Sequence, residues 1–265
     1  MLAGMVQAIP IHPEAARYGA SVLYIPGLWA GTGVWRSMAS LLAHRGWEGQ
    51  LLELCGLKGG LAARAAAVAV HAAGLPAPPV LIGHDAGALV ALGAAARGPA
   101  AAVVMLAPLV PGNRTLGVLT RRWEAVAALV RGRPIPPPRG ARAVRAFGVT
   151  PAAVEASLVA EHPAVVLDVI RGRVAAPART GHPTLVVGGE LDPLLPGPAG
   201  AAFAATIGAQ WREIAEAGHW LLAGPGWQEA VGVVHRWLVQ RLGEQLLDLY
   251  PEAMAEREGG GDGGS

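Results

Sequence analysis

A single cysteine, Cys55, stands in a chain of 265 residues. That excludes an internal disulfide and a cysteine-based metal cluster, and points to a reducing compartment. Charge of one sign is scarce as well: 21 Lys and Arg face 19 Asp and Glu, and the resulting +2 argues against a generic nucleic-acid binder. Although 52% of the residues are hydrophobic, no long apolar run goes unbroken, because charges or prolines such as Pro76, Pro78 and Pro79 interrupt each candidate span. Met1–Ala20 has no basic stretch leading into an apolar core, and Pro10, Pro13 and Glu14 break it up, so no secretory leader is read there. The expectation is a soluble cytoplasmic protein with neither a membrane nor a nucleic-acid partner.

What is present is an alternation of short apolar runs with Ala-rich helical stretches. Ser21–Ile25, Gln50–Leu54, Val80–Ile82 and Ala101–Leu106 read as strands of a parallel sheet, the apolar stretch that follows His182 as another, and the stretch from Ile214 that leads to His219 as one more. Helices are expected near Arg36–Arg45, over Leu57–Ala73, from Ala86 towards Arg97, and over Gly224–Gly243. Strand and helix in alternation predict a mostly parallel, doubly wound α/β sheet, whose active-site groups belong at the carboxyl ends of the strands.

One junction stands out. The strand Val80–Ile82 runs through Gly83 and His84 to Asp85, then through Gly87 into an Ala/Leu-rich helix. Glycines two residues before and after Asp85 suit a turn in which strand end and helix start press together. Asp85 at the apex is expected to be held out, strained and exposed. Capping of the helix that begins at Ala86 is the plainer reading of the same aspartate.

The spacing resembles the Gly-x-nucleophile-x-Gly elbow of the α/β-hydrolase family, with aspartate in the place most often taken by serine. Aspartate there is similar to the branch containing epoxide hydrolases and haloalkane dehalogenases. The resemblance implies an α/β-hydrolase fold with a helical cap inserted in it. It extends to Pro26-Gly27-Leu28-Trp29, similar to the family's oxyanion loop, which implies that the backbone N–H groups of Leu28 and Ala86 form the oxyanion hole. Trp29 and Trp220 are carried as substrate-pocket residues, with core packing the bland alternative for each, and packing is the preferred reading of Trp35.

The implied division is a core of 1–110 and 181–250, a cap over 111–180 and a flexible acidic, Gly-rich tail over 251–265. Within the insert, prolines cluster at Pro134, Pro136, Pro137 and Pro138, helical patches lie at Leu116–Val130 and Pro151–Ile170, and no strand is evident. Its arginines, among them Arg131, Arg133, Arg139, Arg142 and Arg171, outnumber Glu124, Glu155, Glu161 and Asp168. An anionic small-molecule substrate is one reading of that imbalance, a solvated basic face the other.

After the insert, Gly189, Asp192 and Pro196 match the family's acid turn, which implies Asp192 as the triad acid with Glu190 as the substitute. His219, after the strand read from Ile214, matches the catalytic histidine. The three residues follow strands in the family's order of nucleophile, acid and base. A carboxylate nucleophile forms a stable ester at a saturated carbon, whereas at a carbonyl it would form a reactive anhydride. The expected reaction is therefore opening of a carbon–oxygen (epoxide) or carbon–halogen bond through a covalent ester, hydrolysed by water that His219 activates. Leaving-group donors familiar in the branch are missing: Leu28 and Ala86 occupy two such positions, and Tyr18, Tyr24 and Tyr250 lie outside the insert. His162, Trp29, Trp123 and Trp220 are candidates for that role, and a non-hydrolytic lyase or cyclase, or a ligand-binding protein on the same scaffold, stays open. No cofactor or metal is implied, and oligomeric state is left undetermined.

Overall fold

The computed structural model describes residues 6–110, 130–148, 151–172 and 181–247. Its strands, in chain order, are β1 (Gln7–Ile11), β2 (Val22–Ile25), β3 (Gly49–Glu53), β4 (Val80–His84), β5 (Ala102–Leu106), β6 (Thr184–Gly189) and β7 (Gln210–Ile214). Every residue of β2, β4, β5 and β6 is buried, because helices cover both sheet faces and no residue of a central strand meets water. The sheet runs β1-β3-β2-β4-β5-β6-β7, with β1 antiparallel to β3 and all the other pairings parallel. This is the α/β-hydrolase arrangement of a mostly parallel sheet with flanking helices.

Strand β1 was not anticipated. Its sequence Gln-Ala-Ile-Pro-Ile carries Pro10, which only an edge strand tolerates, and most of its side chains face solvent, so no apolar run announces it. At the opposite edge β7 ends at Ile214, where the sequence suggests that a strand starts; Arg212 and Glu213 are exposed on this edge strand, so no apolar run marks it.

The core helices are α1 (Arg36–His44), α2 (Leu61–Ala73), α3 (Ala86–Ala95), α7 (Gly197–Ile207) and α8 (Trp227–Leu247). All ten residues of α3 are buried. A helix covered all round has no reason to be amphipathic, and α3 packs against the Ala-rich α2, where small side chains allow close approach. Helix α7 was not read from the sequence, since its Gly-Pro-Ala-Gly start looks like loop.

Between β5 and β6 lie α4 (Ala141–Phe147), α5 (Ala152–Ala156) and α6 (Pro163–Ile170). The single patch expected over Pro151–Ile170 is thus two helices, separated by an extended stretch that pairs with the rest of the molecule through two isolated bridges, Ala30 with Leu158 and Ile135 with Glu161. The patch expected at Leu116–Val130 lies outside the described residues apart from Val130. Among the described residues no helix is long and apolar enough to cross a membrane.

The chain reverses its winding between β2 and β4: from β2 it steps out to β3, then crosses back to place β4 on the other side of β2. Such a reversal opens a crevice at the carboxyl ends of the two strands, because their loops leave in opposite directions. The loops in question carry Leu28 and Asp85.

Candidate active site

Asp85 follows β4 directly, at φ +56° and ψ −124°, a conformation that costs a side-chain-bearing residue about 1–3 kcal/mol. What sustains it is crowding on both sides. A β-carbon on Gly83 would strike the backbone of Gly87, and one on Gly87 would strike the carbonyls of Ile25 and Pro26. Strand end, helix start and oxyanion loop leave the chain no other path.

The aspartate does not cap its helix through its side chain. Instead, Oδ2 accepts the N–H of Leu28 at 3.2 Å, while Oδ1 is buried with no hydrogen-bond partner. Burial pushes the Asp85 carboxyl up to about 7, against the pull of the His219 charge and of the Leu28 and Ala86 N–H groups. The plainer capping reading of Asp85 is therefore not what the side chain does, and the residue is buried where exposure was expected, because the surrounding loops close over the apex of the turn.

Nδ1 of His219 lies 3.0 Å from Oδ2 of Asp192, and Oδ1 of the same aspartate accepts the N–H of Leu194 at 2.8 Å. Burial opposes the charge on Asp192, but the imidazole and the N–H groups of Leu194 and Leu195 outweigh it, and its carboxyl titrates below the usual range. Burial likewise disfavours the charged form of His219, yet Asp192 and Asp85 together raise its affinity for a proton. Nε2 of His219 is buried without a partner, like Oδ1 of Asp85. Glu190 is exposed, its Oε2 accepting the N–H of Glu216, so of the two carboxylates in this turn it is Asp192 that meets the histidine.

Trp29 and Trp220 are both buried near this group. Trp29 donates its ring N–H to the carbonyl of Ile135 at 3.0 Å, and Trp220 stacks on the ring of His84. Trp35 packs against Tyr24 in the core. His162 caps α6, its Nδ1 accepting the N–H of Ala164, so its ring serves local structure. Trp123 lies outside the described residues.

Four residues around the site went unread in the sequence. Phe147, the last residue of α4, stacks on His219 with ring centroids 5.6 Å apart and also meets Trp29 and Trp220 edge-on. His84 places Nε2 2.9 Å from the carbonyl of His219, and burial holds its ring neutral down to about 3. Its Nε2 therefore carries the hydrogen and donates to that carbonyl. Glu161 and Arg64 form a fully buried bidentate pair, with Arg Nη1 3.2 Å and Nη2 2.5 Å from the two carboxylate oxygens. Only Glu161 had any signal, as one of the few acids in a basic insert.

Two of those acids are turned inward. Glu161 meets Arg64, and Asp168 accepts the N–H of Leu61 at the start of α2, while Arg131, Arg133, Arg139, Arg142 and Arg171 are exposed. Among the described residues, no group of three or more His, Cys, Asp and Glu side chains is placed to hold a metal.

Solved structures with a similar fold include a thermophilic esterase from Thermogutta terrifontis, 19% identical over 89% of this chain and 93% of its own, with a TM-score of 0.63. A monoacylglycerol lipase from Paleococcus ferrophilus is 18% identical over 89% and 99%, with a TM-score of 0.66. At such identities the likeness is one of fold. No curated protein matches the sequence. The sequence pattern of the Alpha/beta hydrolase family, however, matches residues 22–230, and the chain belongs to that family.

Proposed function

We propose that the protein is a hydrolase that opens a carbon–oxygen bond of an epoxide, or a carbon–halogen bond, through a covalent ester on Asp85. The observation that carries this reading is the division of labour within one carboxylate: Oδ2 held by the Leu28 N–H, Oδ1 buried and unpartnered. Oδ1 attacks the saturated carbon and the carbon–halogen or carbon–oxygen bond breaks. Halide departs as the anion; an epoxide oxygen departs as an alkoxide and takes up a proton, for which a protonated His219 is a source. Oδ2 becomes the ester carbonyl oxygen, already facing the backbone donors. His219, oriented by Asp192, then removes a proton from water as that water attacks the ester carbon. The negative charge that develops on Oδ2 meets the N–H groups of Leu28 and Ala86. Collapse expels the alcohol and regenerates the carboxylate.

The esterase and lipase among the similar structures cleave esters brought to them, whereas an aspartate attacking a carboxylic ester would form an anhydride. In the reaction proposed here the ester is made on the enzyme. The exposed arginines of the insert, with two nearby acids turned to the core, support an anionic substrate.

One observation favours a second reading, in which Asp85 acts as a general base without an adduct: the Trp29 ring N–H is held by the carbonyl of Ile135, so it is not poised for a departing atom. Mass spectrometry of His219→Gln mixed with haloalkane and epoxide panels separates the two. The covalent reading expects a mass increase equal to the transferred fragment on the peptide bearing Asp85. Turnover of a haloalkane, whose leaving group needs no proton, by the wild type with no adduct in the variant would favour the base.

A further inference from the structure

We infer that Glu161, gripped by Arg64, is a positioning residue for the oxyanion loop: it holds the peptide between Leu28 and Trp29, and with it the backbone of Leu28, whose own N–H, on the preceding peptide, points at Asp85. This rests on the reading of Asp85 as the nucleophile, and adds to it a part played by the insert.

The insert clasps Trp29 at three points. Its backbone N–H lies 3.4 Å from Oε2 of Glu161, its carbonyl accepts the N–H of Val159 at 2.8 Å, and its ring N–H donates to Ile135. Trp29 sits at φ +57°, where a bulky residue does not rest unless its surroundings compel it. Rotation of the Leu28–Trp29 peptide is thus governed by an acceptor 132 residues away.

Glu161 is itself over-determined. Besides Arg64 it takes the His162 N–H at 2.6 Å, and its own backbone pairs in both directions with Ile135. Neither Glu161 nor Arg64 touches solvent to any extent. A buried ion pair is a weak source of stability, since apolar side chains of like volume serve as well or better. It does fix direction: two fork contacts hold the carboxylate plane, and the carboxylate holds the peptide. With that peptide fixed, the adjoining one between Gly27 and Leu28 keeps its N–H on the reacting group.

The position matters most in the second step. When Oδ2 passes from ester carbonyl to oxyanion its bond to the Leu28 N–H strengthens, so poor aim slows ester hydrolysis more than ester formation. Aim also bears on Asp85 before any substrate arrives, because the Leu28 N–H favours the carboxylate. The other groups facing Asp85 are His219, Asp192 and the Ala86 N–H. Around Glu161 stand Arg64, the thiol of Cys55 and the N–H groups of Trp29 and His162.

Two double variants with no buried charge isolate the effect. Arg64→Met/Glu161→Leu removes the acceptor, and Arg64→Met/Glu161→Gln keeps one acceptor oxygen for Trp29. The first should melt within a few degrees of the wild type, keep KM within about threefold, and lose about tenfold or more in kcat. The second should recover about half of that loss on a logarithmic scale. Infrared titration of the Asp85 carboxyl, which needs no turnover, should give a higher midpoint in the Leu variant than in the Gln variant. Wild-type kcat and equal midpoints in both variants would overturn the inference. So would equal losses in both, which would make the pair a clamp and nothing more. If no substrate is turned over by the wild type and the midpoints still differ, the proposed reaction fails and the positioning stands. Should neither variant fold, Arg64→Lys keeps a cation while loosening the fork; a fall in kcat at constant KM is expected, and unchanged kcat overturns the idea.

Discussion

His219 meets Asp192 across 3.0 Å, whereas Glu190, two residues earlier in the same turn, faces solvent and the N–H of Glu216. The backbone decides between them. The Leu194 N–H holds one Asp192 oxygen and leaves the other for the imidazole. On the proposed mechanism, Asp192→Asn should lower kcat by about 10³- to 10⁴-fold with the circular dichroism spectrum unchanged, since His219 loses the partner that sets its tautomer. Glu190→Gln should leave kcat within about twofold. A reversal of the two results would move the acid to Glu190.

Asp85 holds its proton more tightly folded than unfolded, so its ionisation costs stability. The contribution is complete below the ordinary value of 3.8 and is lost as pH rises through about 7. Asp85→Asn escapes that loss, and should exceed the wild type in unfolding free energy at about pH 8.5 by roughly 2–4 kcal/mol more than it does at about pH 4. Urea titrations at the two pH values measure the difference. Since attack needs the carboxylate, single-turnover ester formation should rise with pH through about 7. In His219→Gln the midpoint should move higher, because the histidine's charge helps to ionise Asp85.

The elbow tolerates no β-carbon at its glycines. Gly87→Ala would press a methyl against the carbonyls of Ile25 and Pro26, backbone atoms that cannot step aside, and should cost about 2–4 kcal/mol. Gly56→Ala is the control. Gly56 is exposed with nothing within 4 Å of an added β-carbon, and the change should fall within about 0.5 kcal/mol of the wild type in the same denaturant titration.

The cationic outer face of the insert, with Glu161 and Asp168 committed to the core, should draw in anions. For an anionic substrate kcat/KM is expected to fall several-fold from about 50 to 300 mM NaCl, as the screening length shortens from roughly 14 to 6 Å. A neutral analogue should show little change. Equal insensitivity of both would leave Arg131, Arg133, Arg139, Arg142 and Arg171 as solubilising surface.

Much of the fold could be read from local pattern. Fully covered strands such as Val80–His84 and Ala102–Leu106 need apolar residues throughout, and helices such as Leu61–Ala73 need small side chains to lie close, so both leave marks within a few residues. The segments that escaped notice, Gln7–Ile11, Ala141–Phe147 and Gly197–Ile207, sit at the surface, follow a cluster of prolines or begin with glycine and proline, where local preference and final structure disagree.

For the candidate site, the sequence by itself determined the turns. Gly83, Asp85 and Gly87 are bound together by steric demands within five residues, and Asp192 and His219 each follow a strand end in the same way. The structure adds that these turns arrive at the same end of one sheet, because the strands they follow run parallel, and that a crevice opens there where the winding reverses between β2 and β4. What tertiary structure alone decided are contacts across the chain: Phe147 on His219, His84 beneath it, and Glu161 between Arg64 and Trp29, with sequence separations of 97 and 132. A buried Arg and Glu look in sequence like any two charged residues. Their partnership exists only once the insert folds back over α2, since burial without a partner would cost each of them several kcal/mol, and nothing local to either residue records which partner the topology will supply.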